Sequence, residues 1–222
     1  MPRDLLQFFE SQVYSDLVTL EHLSESKQCN FSSDEIKALS KRLFSTIDKP
    51  EKKVRLAYEY IRNQILYAFE PWQDSVLQTL QKKRGNCFHK SNVMAALLRS
   101  QGIPCVFSAF YIHKKSFSWF LEPDFLERLP EESIHVYVEV FLQNAWRRYV
   151  DTSLDVRLKQ KVFAQGIDPF DCVMLEKPIR RFFTPEEICE WMKKQKPALA
   201  LNELSQDLIE KMNACFEKVR GV

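Results

Sequence analysis

Nine consecutive residues, Ile134-His135-Val136-Tyr137-Val138-Glu139-Val140-Phe141-Leu142, alternate β-branched or aromatic side chains in a pattern that specifies a β-strand. Val136, Val138, Val140 and Leu142 fall on one face, and His135, Tyr137, Glu139 and Phe141 on the other. Gln143-Asn144-Ala145 reads as a short turn, so Trp146 to Val150 returns as the partner strand. A second strand is expected over 105–112, Cys105 to Ile112.

The flanking sequence has helical periodicity instead. Leu5, Leu6, Phe9, Val13, Leu17 and Leu20 recur at helical spacing. A polar stretch from Ser24 to Asn30 interrupts them. Ser32 and Glu35 form a capping-box pattern ahead of Ile36, Leu39, Leu43 and Ile47. Pro50 opens a helix with Val54, Ala57, Ile61 and Ile65 on one side. Arg84-Gly85-Asn86-Cys87 reads as a loop. Phe88 to Ser100 follows as a helix, with Val93, Ala96, Leu97 and Ser100 on its stripe. Gly102 and Pro104 end it. An irregular segment is expected from His113 to Ser133. Thr184-Pro185-Glu186-Glu187 is a helix start, and Pro197 its stop. Leu204, Leu208, Met212, Phe216 and Val219 predict a last amphipathic helix. Helices, then strands, then helices imply an α+β fold rather than alternating βαβ units. The expected division is a helical extension over 1–50, a core over 51–180 and C-terminal helices over 181–222 packed on that core.

Composition removes several function classes. The 32 Lys+Arg against 30 Asp+Glu leave a formal +2, with no electrostatic case for nucleic acid or an anionic membrane. Only four glycines are present, and neither glycine-rich phosphate-binding motif occurs. No apolar run approaches the roughly 18–20 residues that span a bilayer. Met1-Pro2-Arg3-Asp4 soon meets Glu10 and Asp16, unlike a secretory leader. The six cysteines contain no Cys-x-x-Cys pair. Reduced thiols in the cytoplasm are the expectation.

Three residues form a chemical constellation. Cys87 stands at a predicted helix start, where unpaired N–H groups and the helix dipole favour a thiolate and can hold an oxyanion. His135 lies near the start of the main strand, and Asp151 at the end of its partner. A three-residue loop, 143–145, sets Tyr137 opposite Asp151 and makes His135 its diagonal neighbour, within side-chain reach. A two-residue loop sets Asp151 opposite Val136, on the wrong face. Spacing alone leaves both open.

Resemblance favours the constellation. Gly85-Asn86-Cys87, followed by Ala95-Ala96-Leu97-Leu98-Arg99-Ser100-Gln101-Gly102-Ile103-Pro104, resembles the glycine-x-cysteine motif and the A-L-L-R-x-x-G-I-P segment of the transglutaminase-like superfamily. His135-Val136-Tyr137-Val138-Glu139-Val140-Phe141, with Trp146 and Asp151, resembles its H-x-W-x-E-V-Y…W…D segment. Ile65-Leu66-Tyr67 and Asp74-Ser75-Val76-Leu77 resemble the lead into its cysteine loop. Cys87-Phe88-His89-Lys90 is similar to bacterial transglutaminase-like proteins. Tyr137 stands where the family often has Trp, and Thr152 where Pro is common.

The resemblance implies a papain-like core in which the cysteine helix packs on an antiparallel sheet. It implies a Cys87–His135–Asp151 triad acting through a thioester on a protein or peptide amide, as protease, deamidase or transamidase. Trp72, Gln73 and Gln81 are oxyanion or substrate candidates. No cofactor and no metal are implied; zinc on Cys87, His89 and His135 is the weaker alternative. His89 is expected to be a packing residue, and Lys90 a solvated or carboxylate-paired one. The rival reading is a catalytically inactive member that keeps the fold as a protein-binding module.

Overall fold

The computed structural model describes residues 18–163, 178–196 and 204–221. In chain order its elements are α1 (Asp34–Phe44), α2 (Pro50–Gln64), β1 (Leu66–Tyr67), α3 (Val76–Lys82), β2 (Arg84–Gly85), α4 (Cys87–Arg99) and β3 (Cys105–His113). There follow α5 (Pro123–Arg128), β4 (Glu132–Leu142), β5 (Ala145–Val150), α6 (Val156–Phe163), β6 (Arg180–Phe182), α7 (Pro185–Met192) and α8 (Gln206–Arg220). The fold is α+β.

The apolar alternation along β3 and β4 produces an antiparallel sheet of order β5-β4-β3-β6. Both faces of β4 are buried almost throughout, so the strand carries apolar residues on each side. Against this sheet packs α4. All 13 of its residues are buried, so the apolar stripe expected from spacing is replaced by a helix with no wet face. Val93, Met94, Leu97 and Leu98 join Val136, Val138 and Val140 in the main core, with Val54, Ala57 and Ile61 of α2 closing the other side. A second, more aromatic cluster joins Tyr67, Phe110, Phe117, Phe120 and Tyr137 to Met212 and Phe216 of α8.

Several expectations are corrected. Ser33, not Ser32, caps α1 by accepting the Ile36 N–H, and Ser32 is spent on Asn30. The helix then ends at Phe44, before Ile47. The segment 113–133 is ordered into a 3₁₀ turn (Lys114–Phe117) and α5, whose start is set by Pro123. The short α3, α6 and β6 lacked periodicity long enough to show in sequence. Thr184 does cap α7, with Glu187 completing the capping box. That helix ends at Met192, well before Pro197. Leu5, Leu6, Phe9, Val13, Leu17 and Pro197 lie outside the described residues. Leu20 sits in a 3₁₀ turn and is 87% exposed.

The hairpin turn also differs. It has two residues, not three: Leu142 faces Ala145, and Phe141 faces Trp146. Gln143 and Asn144 both take left-handed backbone, φ 52° and 59°, as a two-residue turn between twisted strands requires. The ladder then slips. Val140 pairs with Arg147 but Val138 pairs with Val150, so β5 carries one extra residue in a β-bulge.

Candidate active site

The cysteine arm is built from backbone and side-chain hydrogen bonds. β1 and β2 pair in parallel, Leu66 with Arg84 and Tyr67 with Gly85. The next residue, Asn86, caps α4, its side-chain oxygen accepting the Phe88 N–H at 3.0 Å. His89 reaches back, its Nδ1 accepting the Asn86 N–H at 3.3 Å while Nε2–H donates to the Pro71 carbonyl at 2.8 Å. Burial lowers the His89 pKa, in keeping with this neutral tautomer. A Cβ on Gly85 would sit 2.6 Å from the His89 Cβ, which explains the glycine two residues before the sulfur. Lys90, expected in solvent or against a carboxylate, is instead fully buried, and its Nζ donates to the Ile65 carbonyl at 2.8 Å. Burial lowers its pKa to about 7.

Cys87 is the first residue of α4 and is 6% exposed. Its own N–H is the one at the helix tip that the Asn86 cap does not take.

The second arm is set by strand register. His135 lies on β4. Continuing the bulged ladder beyond Val138–Val150 brings Asp151 opposite Tyr137, diagonal to His135. His135 Nε2 and Asp151 Oδ2 are 2.9 Å apart. Asp151 Oδ1 accepts the Ser153 N–H at 2.8 Å and also the Ser153 hydroxyl. Cys87 lies near enough to the same imidazole for its charge to raise the His135 pKa. Ser91, one helical turn beyond Cys87, donates to the Val136 carbonyl at 3.0 Å and joins the two arms.

The charges are consistent with this geometry. Burial alone would lower the His135 pKa, but the Asp151 and Cys87 charges and hydrogen bonds outweigh it and raise it to about 10. Burial opposes the Asp151 charge too, yet His135 and Ser153 hold that carboxyl well below the usual range. Tyr67 also lies within reach of this field: burial, then Cys87 and Asp151, keep its phenol protonated far above the ordinary value.

A family model, the transglutaminase-like superfamily, matches residues 37–150, just over half of the sequence. The chain belongs to that superfamily. Comparison with curated proteins gives no match. Among solved structures, the chain is similar to a candidate cysteine protease from Cytophaga hutchinsonii, with 21% identity and a TM-score of 0.48. That likeness covers 63% of this chain and 44% of the other, so the chain spans less than half of its relative's length.

Within this transglutaminase-like site, the three oxyanion candidates differ in placement. Trp72 is half-buried, its ring 5.1 Å from that of Phe88, the residue after Cys87. Gln73 is exposed beside it, and the two line a groove with Pro71 and Asn86. Gln81 is exposed on α3, and no bond joins it to Cys87. Among the described residues no three His, Cys, Asp or Glu side chains cluster as a metal site. Sequence reasoning missed Tyr67, Ser91 and Ser153. Of these only Tyr67 left a trace, in the Ile65-Leu66-Tyr67 lead. No described helix is long and apolar enough to cross a membrane.

Proposed function

We propose that this protein is a cysteine acyl-transfer enzyme acting on a protein or peptide amide. The observation that carries the reading is one buried imidazole bonded to Asp151 at 2.9 Å on Nε2 and close enough to Cys87 for the sulfur's charge to act on it. His135 takes the thiol proton, giving a thiolate–imidazolium pair, and Asp151 fixes the tautomer and stabilises the cation. The sulfur attacks the amide carbon. The developing oxyanion is held by the Cys87 N–H at the helix tip, where the dipole is positive. His135 then returns its proton to the leaving amine, and a thioester remains on Cys87. Water releases a carboxylic acid, as in proteolysis or deamidation; a second amine gives a new amide. Trp72, packed on Phe88 beside Cys87, is the candidate wall of the acyl pocket.

The test is thiol labelling. Iodoacetamide at pH 7 should alkylate Cys87 far faster than the half-exposed Cys189, whose thiol burial pushes up to about 11. His135→Ala should abolish the difference. Equal rates at Cys87 and Cys189 in the unaltered protein reject the triad.

A second reading, a protein-binding module without turnover, draws on the burial of Cys87 and His135, 6% and 1% exposed. It requires Cys87→Ala to keep every phenotype of the unaltered protein.

A further inference from the structure

Strand β1 is only two residues long, yet it sets the path of the chain into the cysteine loop. One edge is occupied: Leu66 N–H donates to the Lys83 carbonyl at 2.9 Å and Ala68 N–H to the Gly85 carbonyl at 3.2 Å. The other edge would be left with the polar groups of Tyr67 and Phe69, which point away from β2. No strand covers it among the described residues. Side chains do. Tyr67 N–H donates to Asp155 Oδ2 at 3.0 Å, and the Tyr67 carbonyl accepts from Arg220 Nη2. Phe69 N–H donates to Asn213 Oδ1 at 2.8 Å, and Asn213 Nδ2 donates back to the Phe69 carbonyl at 3.0 Å. The four groups are satisfied in the alternation a neighbouring strand would supply.

Three of the residues involved lie on one face of α8, at 213, 216 and 220. Asn213 and Arg220 make the polar contacts. Phe216, between them, sets its ring 5.1 Å from Tyr67 and 5.5 Å from Phe69. Arg220 is further fixed by its ion pair with Asp155 at 2.7 Å, with both side chains 1% exposed. From the opposite side, Lys90 of the cysteine helix holds the Ile65 carbonyl. The strand is thus gripped between the helix that bears the sulfur and the helix that ends the described chain.

We propose that α8 serves as a surrogate third strand of the active centre, with Arg220, Asp155 and Asn213 as positioning residues that set β1, and through it the Gly85–Cys87 loop and Tyr67, against His135. This rests on the acyl-transfer reading. Tyr67 is the link to the chemistry: it pairs with Gly85, two residues before the sulfur, and burial with the Cys87 and Asp151 charges keeps its phenol protonated. The polar contacts are directional, so their loss displaces the loop even where Phe216 still fills its space.

The experiment is iodoacetamide labelling of the full chain between pH 6 and 9, with each cysteine quantified by mass spectrometry. Cys29 and Cys105, both fully buried in the main core, report unfolding. In Arg220→Met, Cys87 labelling should fall about ten- to a hundredfold, with an altered pH profile, while Cys29 and Cys105 stay protected. Met192→Ala, a core change far from β1, should leave the Cys87 profile as it was. If Arg220→Met does not fold, Asn213→Ala removes only the Phe69 pair and should give the same change at smaller amplitude. An unchanged Cys87 profile in a folded variant overturns the proposal. So does a parallel rise at Cys87, Cys29 and Cys105, which would make α8 a general support of the fold. Slow Cys87 labelling in the unaltered protein instead rejects the triad itself.

Discussion

The two arms of the site are held by different physics. The sulfur is placed by local chemistry: a glycine that lets His89 approach, an Asn86 cap and the His89 staple to Pro71. These contacts lie within a few residues of Cys87, apart from the staple. The imidazole–carboxylate pair is placed by counting along strands. Its partner is correct only because a bulge adds one residue to β5 after a turn that is one residue short. The first arm tolerates changes in distant register but not a methyl group at one position. The second tolerates side-chain changes along the hairpin but not the gain of a single residue.

The comparison breaks most severely at the carboxylate. Asp151→Asn keeps the shape but removes the charge that stabilises the imidazolium, and should cost about 10³-fold or more in amide turnover, with a smaller drop in Cys87 labelling at pH 7. Inserting one residue between 148 and 149 should match that loss, because Asp151 then faces Val136. Deleting one residue at 148 or 149 instead closes the bulge, leaves Asp151 opposite Tyr137 and should keep labelling near the original rate. An insertion variant that labels at the original rate would show that register does not set the second arm.

The first arm is tested at Gly85. A Cβ cannot be rotated away from another Cβ, so Gly85→Ala should destabilise the fold by about 1–3 kcal/mol, read as a lower urea midpoint at constant slope. A midpoint unmoved would mean that the α4 tip yields easily.

The smallest expected effect is a pH slope that cancels. Folded His135 keeps its proton up to about 10, whereas unfolded His releases it near 6.5, so its contribution is full below 6.5 and is lost as pH rises through about 10. Lys90 runs the other way: the unfolded amine holds its proton to near 10.5 and the folded one releases it near 7, so stability is gained over that rise. Unfolding free energy should be nearly level from about 7 to 9, above which unfolded thiols ionise while Cys29 and Cys189 stay protonated in the fold and stability falls. Lys90→Met should expose the falling His135 limb, measured by urea titration at several pH values. A Lys90→Met variant as level as the original would mean that His135 does not hold its proton in this window.

The legible part of the fold was what repeats or caps. The strand from 134 to 142, the helix after Pro50 and the Thr184 cap all carry their structure in adjacent residues. What stayed hidden was set by partners far along the chain. The stripe read on 93–100 was a fragment of a helix buried all round, and no periodicity distinguishes such a helix from a half-buried one. The hairpin is the most instructive case. Loop length was misread and the bulge unseen, yet the two errors cancel, since each shifts the ladder by one residue. Asp155 and Arg220, 65 residues apart, left no sequence signal at all.

Every side chain of α4 faces protein, and Cys87, at its first position, keeps 6% exposure. Retuning what this protein accepts therefore has a narrow address. Gln73, exposed beside the cap, can be rewritten without touching the interior, whereas Trp72, packed on Phe88, and residues deeper along the rod must be matched by their neighbours.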